Sequence, residues 1–160
     1  MKSDALKTLI VNLFAGPGAG KSTTAAGVFS ELKLRGVLCE LVTEWIKERA
    51  WEGEQDPITG KFYDQVYTFA KQYHRIRRLL GKVRVIITDS PVLLSHHYSS
   101  SETDAFRTFV LERHRETPSL NFFVRRTKPY RPEGRWTKTE ASARRIDESL
   151  VSMLKSNDIE

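Results

Sequence analysis

Apolar residues along the chain fall into short continuous runs that alternate with longer stretches of helical spacing. The runs are rich in β-branched residues and predict four buried strands of a parallel sheet, over 6–14, 37–43, 83–88 and 120–125. The helical stretches predict a helix from Lys21 to Gly36, a short helix after Thr43, and longer ones over 62–80, 102–115 and from 137 onward. Strands that alternate with helices predict an α/β fold of three layers, with helices on both faces of the sheet.

The first predicted strand ends in a glycine-rich stretch, "LFAGPGAGKST", which leads directly into the first predicted helix. It matches the phosphate-loop pattern G-x-x-x-x-G-K-[ST], except that Ala15 occupies the first position and Gly16 follows it. Backbone N–H groups of such a loop and the positive end of the helix dipole bind phosphates. Lys21 would reach the β and γ phosphates, and Ser22 would offer its hydroxyl to Mg²⁺. The pattern predicts that a nucleoside triphosphate is bound by Gly16, Pro17, Gly18, Ala19, Gly20, Lys21, Ser22 and Thr23.

Carboxylates follow two other predicted strands, at the edge of a parallel sheet where ligands bind. Asp89 follows the third strand as a Walker B acid does, where it could hold Mg²⁺ or accept a proton. It could instead cap the turn "DSP". Glu44 follows the second strand and is a candidate general base. The alternative for Glu44 is a first-turn glutamate that favours the helix dipole.

A basic, proline-punctuated stretch follows the fourth predicted strand. Residues 125–145 contain eight basic residues and two acidic ones. We interpret residues 126–136 as a lid whose arginines, Arg126, Arg131 and Arg135, close over the transferred phosphoryl group. A solvated basic loop, or a contact to nucleic acid without a catalytic role, is the alternative.

Other polar and aromatic residues could contact an acceptor base, although packing or solvation is the more common role of such residues. On the long helix they are Asp64, Gln65, Tyr67, Gln72, His74 and Arg75. Trp45 and Trp51 are expected in the core or the cleft wall rather than in a stacking platform. The adjacent histidines His96 and His97 lack partners at metal-ligand spacing.

Composition describes a soluble globular chain. Its 160 residues predict one domain, 1–160, with no apolar stretch long enough to cross a membrane and no secretion signal, so we expect a cytoplasmic protein. The lone Cys39 cannot form an internal disulfide and is expected to be buried. A net charge of +6 favours polyanionic partners such as nucleic acid, or serves the triphosphate and solubility alone.

The class of phosphate-loop protein can be narrowed by motifs that the sequence lacks. A GTPase switch would carry N-K-x-D after a strand, and a motor-type ATPase would carry a glutamate directly after Asp89, where this chain has Ser90. A kinase needs a phosphate loop, a magnesium carboxylate, a base near the acceptor and a lid that excludes water. The chain has a candidate for each, which favours a kinase.

Five stretches, "FAGPGAGKSTTAAGVFSELKLRG", "LVTEWIKE", "DQVYTFAKQYHRI", "VIITDSPVLL" and "NFFVRRTKPYRPEGR", resemble a family of small bacteriophage P-loop kinases. Some members are similar to kinases that phosphorylate 5-hydroxymethyluracil already incorporated in phage DNA. The resemblance covers about residues 6–155 and implies a kinase fold, use of ATP with Mg²⁺, and roles for Glu44, Asp89 and the lid arginines. Such kinases often have a fifth strand, and since this chain ends at "KSNDIE" the sheet has four strands or five.

The acceptor stays open on the sequence alone. The charge and the basic lid favour DNA, whose base would have to flip out of a duplex, so a single-stranded substrate or a homodimer is conceivable. A free deoxynucleoside or a nucleoside monophosphate is the alternative acceptor. A nucleotide-binding protein or ATPase without kinase activity is a further alternative, and GTP stays open as the donor because no motif reads the donor base.

Overall fold

The computed structural model describes residues 6–51, 62–99, 103–131 and 139–159, with side chains for all of them except 49–51 and 62–64. The strands are β1 (Leu9–Phe14), β2 (Cys39–Val42), β3 (Val85–Thr88) and β4 (Ser119–Phe123). The helices are α1 (Lys21–Leu34), α2 (Trp45–Trp51), α3 (Phe62–Arg77), α4 (Leu94–Tyr98), α5 (Asp104–Arg115) and α6 (Glu140–Ser156). This order confirms the predicted α/β fold class.

The described strands form one parallel sheet in the order β2-β3-β1-β4. Thr88 of β3 is level with Asn12 of β1 on one side and with Val42 of β2 on the other. The carboxyl ends of three adjacent strands therefore lie side by side. The segments that leave these ends carry the phosphate loop, Asp89 and Glu44, so the order of the strands brings the predicted site together.

The core lies on both faces of this sheet because alternate residues of a strand point to opposite sides. Ile10 and Phe14 of β1 join a cluster with buried residues of α3, α5 and α6. Val11 and Leu13 join a second cluster in which Ala25 of α1 is fully buried. The sheet is thus the middle of three layers, and the phosphate loop connects its central strand β1 to the helix on one face.

Several element boundaries differ from the predicted ones. Gly36 follows the C-cap residue of α1 and has a φ angle of +72°, which is the glycine stop predicted for that helix. Helix α3 ends at Arg77, earlier than the predicted residue 80, and a turn leads from it to Gly81, which has a φ angle of +73°. The last helix begins later than predicted, since Thr139 is its N-cap and accepts a hydrogen bond from the N–H of Ser142. The short helix α4 was not predicted, because its five residues show no helical spacing of apolar positions. In the part of the chain that the structure describes, no helix is long and apolar enough to span a membrane.

Candidate active site

The glycine-rich stretch forms a loop between β1 and α1, as its sequence predicts. Gly18 and Gly20 have φ angles of +75° and +103°, a backbone conformation that residues with a Cβ rarely adopt, so these positions favour glycine. The first N–H groups of a helix have no acceptor within the helix, and no described side chain caps this end of α1. Ser22 and Thr23 are exposed on the same first turn. The loop and the helix end are therefore suited to bind an anion.

Lys21 folds back over the loop. Its ammonium donates hydrogen bonds to the carbonyl oxygens of Ala15, at 2.7 Å, and Gly16, at 3.3 Å. Burial lowers the pKa of Lys21 below its ordinary 10.5, while the nearby carboxylates of Glu44, Asp89 and Asp147 oppose this effect. The lysine of the loop and these three acidic groups consequently form one electrostatic cluster.

Asp89 begins the segment after β3 and is almost fully buried, with 2% of its surface exposed. Its Oδ1 atom is buried without a hydrogen-bond partner among the described residues. The turn after β3 does not use this carboxylate as its cap, since the N–H of Ser90 donates to the hydroxyl of Thr88 at 3.1 Å. A buried carboxylate oxygen without a partner is costly and calls for an explanation.

The oxygen donors here fit a magnesium ion. Mg²⁺ prefers oxygen ligands and is usually held by one or two carboxylates together with phosphates and waters. The unpartnered Oδ1 of Asp89 and the hydroxyl of Ser22 are donors of this kind. No group of three or more His, Cys, Asp or Glu residues in the described ranges could bind a metal without such help.

Glu44 lies just beyond β2, next in the sheet to the strand that carries Asp89. Burial raises the pKa of the Glu44 carboxyl above its ordinary 4.5; Lys21 opposes this shift, and Asp89 adds to it. A carboxylate with a raised pKa is a better proton acceptor, which suits a general base.

Gln72 of α3 supports the segment that carries Glu44. Its side chain is buried, accepts a hydrogen bond from the N–H of Trp45 at 3.2 Å and donates to the carbonyl of Thr43 at 3.3 Å. It also lies 3.5 Å from the hydroxyl of Thr88, which precedes Asp89. Gln72 is therefore buried, and it is hydrogen-bonded to the backbone on both sides of Glu44 and to the residue before Asp89.

Asp147 of α6 is a residue of this region that the sequence analysis missed. Its Oδ1 accepts a hydrogen bond from the N–H of Gly16 at 2.6 Å. Its Oδ2 accepts from Nε and Nη2 of Arg126, at 3.2 and 3.0 Å. The available indication was an acidic residue within the apolar stripe of α6, between Ala143, Ile146 and Leu150.

Tyr98 is the second residue that was missed. Burial raises the pKa of its phenol, and the carboxylates of Glu44 and Asp147 raise it further, so the ring at the end of α4 lies near both acids. Burial also lowers the pKa of the neighbouring His97 to about 4, so this imidazole is neutral at physiological pH. The phenol of Tyr98 thus lies along one side of the cluster, and the neutral imidazole of His97 packs edge-on against the Tyr98 ring.

The other predicted site residues are distributed more widely. Arg126 is anchored at the site, Arg131 is exposed, and Arg135 lies outside the described residues together with most of the predicted lid. Trp45 is 8% exposed and packs edge-on against Tyr67, so it belongs to the wall, as expected. The side chains of Trp51 and Asp64 lie outside the described part of the chain. Of the remaining candidates, Gln65 is buried, His74 is exposed, and Arg75 forms an ion pair with Glu48.

Comparison with known proteins agrees with this fold. The model of the AAA_28 family, described as an AAA domain, matches residues 10–160. Among solved structures, the APS kinase of Mycobacterium tuberculosis is 14% identical, with a TM-score of 0.50 over 91% of this chain and 99% of that one. Thymidylate kinase from Candida albicans is 13% identical, with a TM-score of 0.50 over 94% of this chain and 76% of that one. At these identities the likeness is one of fold, and comparison with curated protein sequences finds no match.

The phosphate loop, the strand order and the matched family model lead to one assignment. The chain belongs to the AAA_28 family of AAA domains and has the kinase-like fold of P-loop nucleotide-binding proteins.

Proposed function

We propose that the protein is an Mg²⁺-dependent kinase that transfers the γ-phosphoryl group of ATP to a hydroxyl of a nucleotide-type acceptor. The observation that carries this proposal is the cluster of Lys21, Glu44 and Asp89 at the carboxyl ends of three adjacent strands. Such a cluster combines a cation for the phosphates, an oxygen ligand for the metal and a base for the acceptor.

In the proposed reaction, the acceptor hydroxyl oxygen attacks the γ-phosphorus. A new P–O bond forms as the bond between the γ-phosphorus and the β–γ bridging oxygen breaks, so ADP leaves with that bond's electrons. The hydroxyl proton passes to the carboxylate of Glu44, whose raised pKa favours its uptake. Bound Mg²⁺ would neutralise charge on the phosphates, and Asp89 and Ser22 would hold it.

The sequence after β3 supports transfer to a hydroxyl over simple hydrolysis. Ser90 occupies the position at which a motor-type ATPase would carry a glutamate that activates water. Glu44 instead approaches from β2, which is separated from the phosphate loop by β3. In the proposed reaction, the acceptor would lie between this base and the γ-phosphate.

For the acceptor, we propose 5-hydroxymethyluracil within DNA, a base that itself carries a primary hydroxyl. The support is the sequence resemblance to kinases of that substrate, together with the net charge of +6 and the exposed basic residues Arg125, Lys128 and Arg131. A protein that neutralises DNA phosphates loses affinity steeply as salt rises. Binding of this DNA should therefore weaken strongly between 50 and about 200 mM salt.

The test is transfer of label from γ-labelled ATP with Mg²⁺ to a panel of acceptors. The panel contains single- and double-stranded DNA with 5-hydroxymethyluracil, the same DNA with thymine, free deoxynucleosides and nucleoside monophosphates. Asp89→Asn serves as the inactive control, and Arg35→Ala, which removes an exposed ion pair with Glu31 on α1, serves as the active one.

Each outcome separates one part of the proposal. Label on hydroxymethyluracil DNA alone would support the whole of it, and absence of DNA binding at 50 mM salt would contradict the DNA acceptor. Label on a free nucleoside or nucleotide would keep the kinase and replace its acceptor. ATP hydrolysis without label on any hydroxyl would overturn the kinase proposal in favour of an ATPase.

A further inference from the structure

The region around Gly16, Arg126 and Asp147 contains a joint between three distant parts of the chain. Gly16 belongs to the phosphate loop, Arg126 follows β4, and Asp147 lies in the middle of α6. The carboxylate of Asp147 contacts both of the other residues. Its Oδ1 accepts a hydrogen bond from the backbone N–H of Gly16, and its Oδ2 accepts from the guanidinium of Arg126. We refer to these three residues as the loop joint.

The loop joint explains why glycine occupies position 16. Gly16 does not have a positive φ angle, so its backbone conformation is open to other residues. A Cβ at this position, however, would lie 2.7 Å from Oδ1 of Asp147 and 2.8 Å from the carbonyl oxygen of Ala143. Glycine is needed here because α6 packs directly against the loop, and not because of the conformation of the loop.

Arg126 is buried in this joint to an unusual degree for a lid arginine. Its side chain is 3% exposed, and that of Asp147 is 16% exposed. Nε and Nη2 donate to the carboxylate, and the guanidinium carbon lies 5.7 Å from the centre of the Tyr130 ring. The remaining nitrogen, Nη1, is buried and has no acceptor in the described part of the chain.

A buried guanidinium nitrogen without an acceptor is costly unless a ligand supplies one. The joint is close to the phosphate site, because Asp147 contacts the backbone N–H of Gly16 in the loop, and the Lys21 ammonium donates to the carbonyl oxygen of the same residue. The acceptors that such a site would receive are phosphate oxygens, which guanidinium groups bind well.

We propose that Asp147 is a positioning residue that holds Arg126 against the phosphate loop, so that Nη1 of Arg126 donates to a phosphate oxygen of the bound nucleotide. Asp147 itself touches no substrate and acts through the guanidinium. This inference rests on the proposed function only in requiring that the loop binds a nucleoside triphosphate.

The experiment measures equilibrium binding of Mg·ATP to the full chain, together with the melting temperature of the nucleotide-free protein. The variants are Arg126→Ala, Asp147→Ala, the corresponding double variant and Asp147→Asn. Arg35→Ala is the matched control, since it removes an arginine whose ion pair with Glu31 is exposed.

A charge-assisted hydrogen bond predicts that Arg126→Ala raises the Kd for Mg·ATP about tenfold or more. Asp147→Ala should raise it by a similar factor, and the double variant by no more than either single one, because both changes remove the same contact. Asp147→Asn has one oxygen acceptor, so it can accept from Gly16 or from Arg126 but not from both, and it should recover only part of the affinity that Asp147→Ala loses. Arg35→Ala should bind Mg·ATP as the wild type does.

A purely structural joint would give a different pattern. The melting temperatures of the variants would fall, but the Kd for Mg·ATP, measured at a temperature well below melting, would stay within about twofold of wild type. That result, or additive losses in the double variant, would overturn the inference and leave the kinase proposal intact. Failure of the wild type to bind Mg·ATP would overturn both. Coupled losses in binding without phosphoryl transfer to any acceptor would support the inference and contradict the kinase.

Discussion

Replacing Gly16 with alanine tests the packing of α6 against the phosphate loop. The added methyl group would meet the Asp147 carboxylate at 2.7 Å and the Ala143 carbonyl oxygen at 2.8 Å. Carbon–oxygen contacts usually begin at about 3.3 Å, so two oxygens would have to retreat by roughly 0.5 Å each. One of them belongs to the backbone of α6 and cannot rotate away, so the helix itself must shift.

The expected cost combines two effects. Overpacking of this kind destabilises a protein by about 1–3 kcal/mol. A shift of α6 would also stretch the 2.6 Å hydrogen bond from the Gly16 N–H to Asp147. A hydrogen bond to a charged group contributes about 1.5–3 kcal/mol, so we expect a total destabilisation of roughly 2.5–6 kcal/mol if that bond is lost.

Gly27, in the exposed interior of α1, provides the matched control, because an added Cβ there meets nothing within 4 Å. Gly27→Ala should therefore stabilise the protein by about 0.5–1 kcal/mol through helix propensity. Both free energies of unfolding can be measured by urea denaturation followed by circular dichroism, with the m-value checked for constancy. If Gly16→Ala changed stability by less than about 0.5 kcal/mol, or stabilised the protein as Gly27→Ala should, the packing argument would be refuted.

Three further substitutions test the acidic cluster. Asp89→Asn should abolish phosphoryl transfer yet raise the urea midpoint of the nucleotide-free protein, because it removes a buried charged oxygen without a partner; a lower midpoint would contradict this. Glu44→Gln should also abolish transfer and should stabilise the protein at pH 7. Burial raises the pKa of Glu44, so the ionised carboxylate lowers the stability of the folded state as pH rises above 4.5. The stability gained by the substitution should therefore vanish in melting curves recorded below that pH. In the wild type, transfer should rise with pH as Glu44 loses its proton, and a flat profile from pH 4.5 to 8 would contradict a role as base. Gln72→Leu removes the hydrogen bonds to the backbone on both sides of Glu44, so kcat should fall while the Kd for Mg·ATP stays within about threefold, and a rise in Kd with unchanged kcat would argue against it.

The parts of the site that could be predicted from the sequence are those determined by local rules. A glycine-rich loop between a strand and a helix is typical of phosphate binding, and an acidic residue directly after a buried parallel strand lies at the carboxyl end of the sheet, where ligands bind. Lys21, Glu44 and Asp89 were predicted in this way, and the order of the strands brings the segments that carry them to the same end of the sheet, while their catalytic roles stay predictions.

The missed residues depend on contacts between distant positions. Asp147 meets Gly16 across 131 residues of sequence, and no spacing rule connects them. The same packing explains why Gly16 was assigned to phosphate binding alone, when its lack of a side chain also admits α6. Tyr98 was missed because α4 is a short helix without helical periodicity, placed at the site only by the tertiary fold.

One side-chain atom of Asp89 and one of Arg126 have opposite requirements. Within the described ranges, Oδ1 of Asp89 has no hydrogen-bond partner and Nη1 of Arg126 has no acceptor, although both atoms are buried. A magnesium ion bound to a triphosphate would supply both needs at once, a cation for the carboxylate and anionic oxygens for the arginine. Mg·ATP should therefore stabilise the fold by more than ATP in the presence of a chelator, and in Asp89→Asn this difference in melting temperature should shrink while the part due to Arg126 persists.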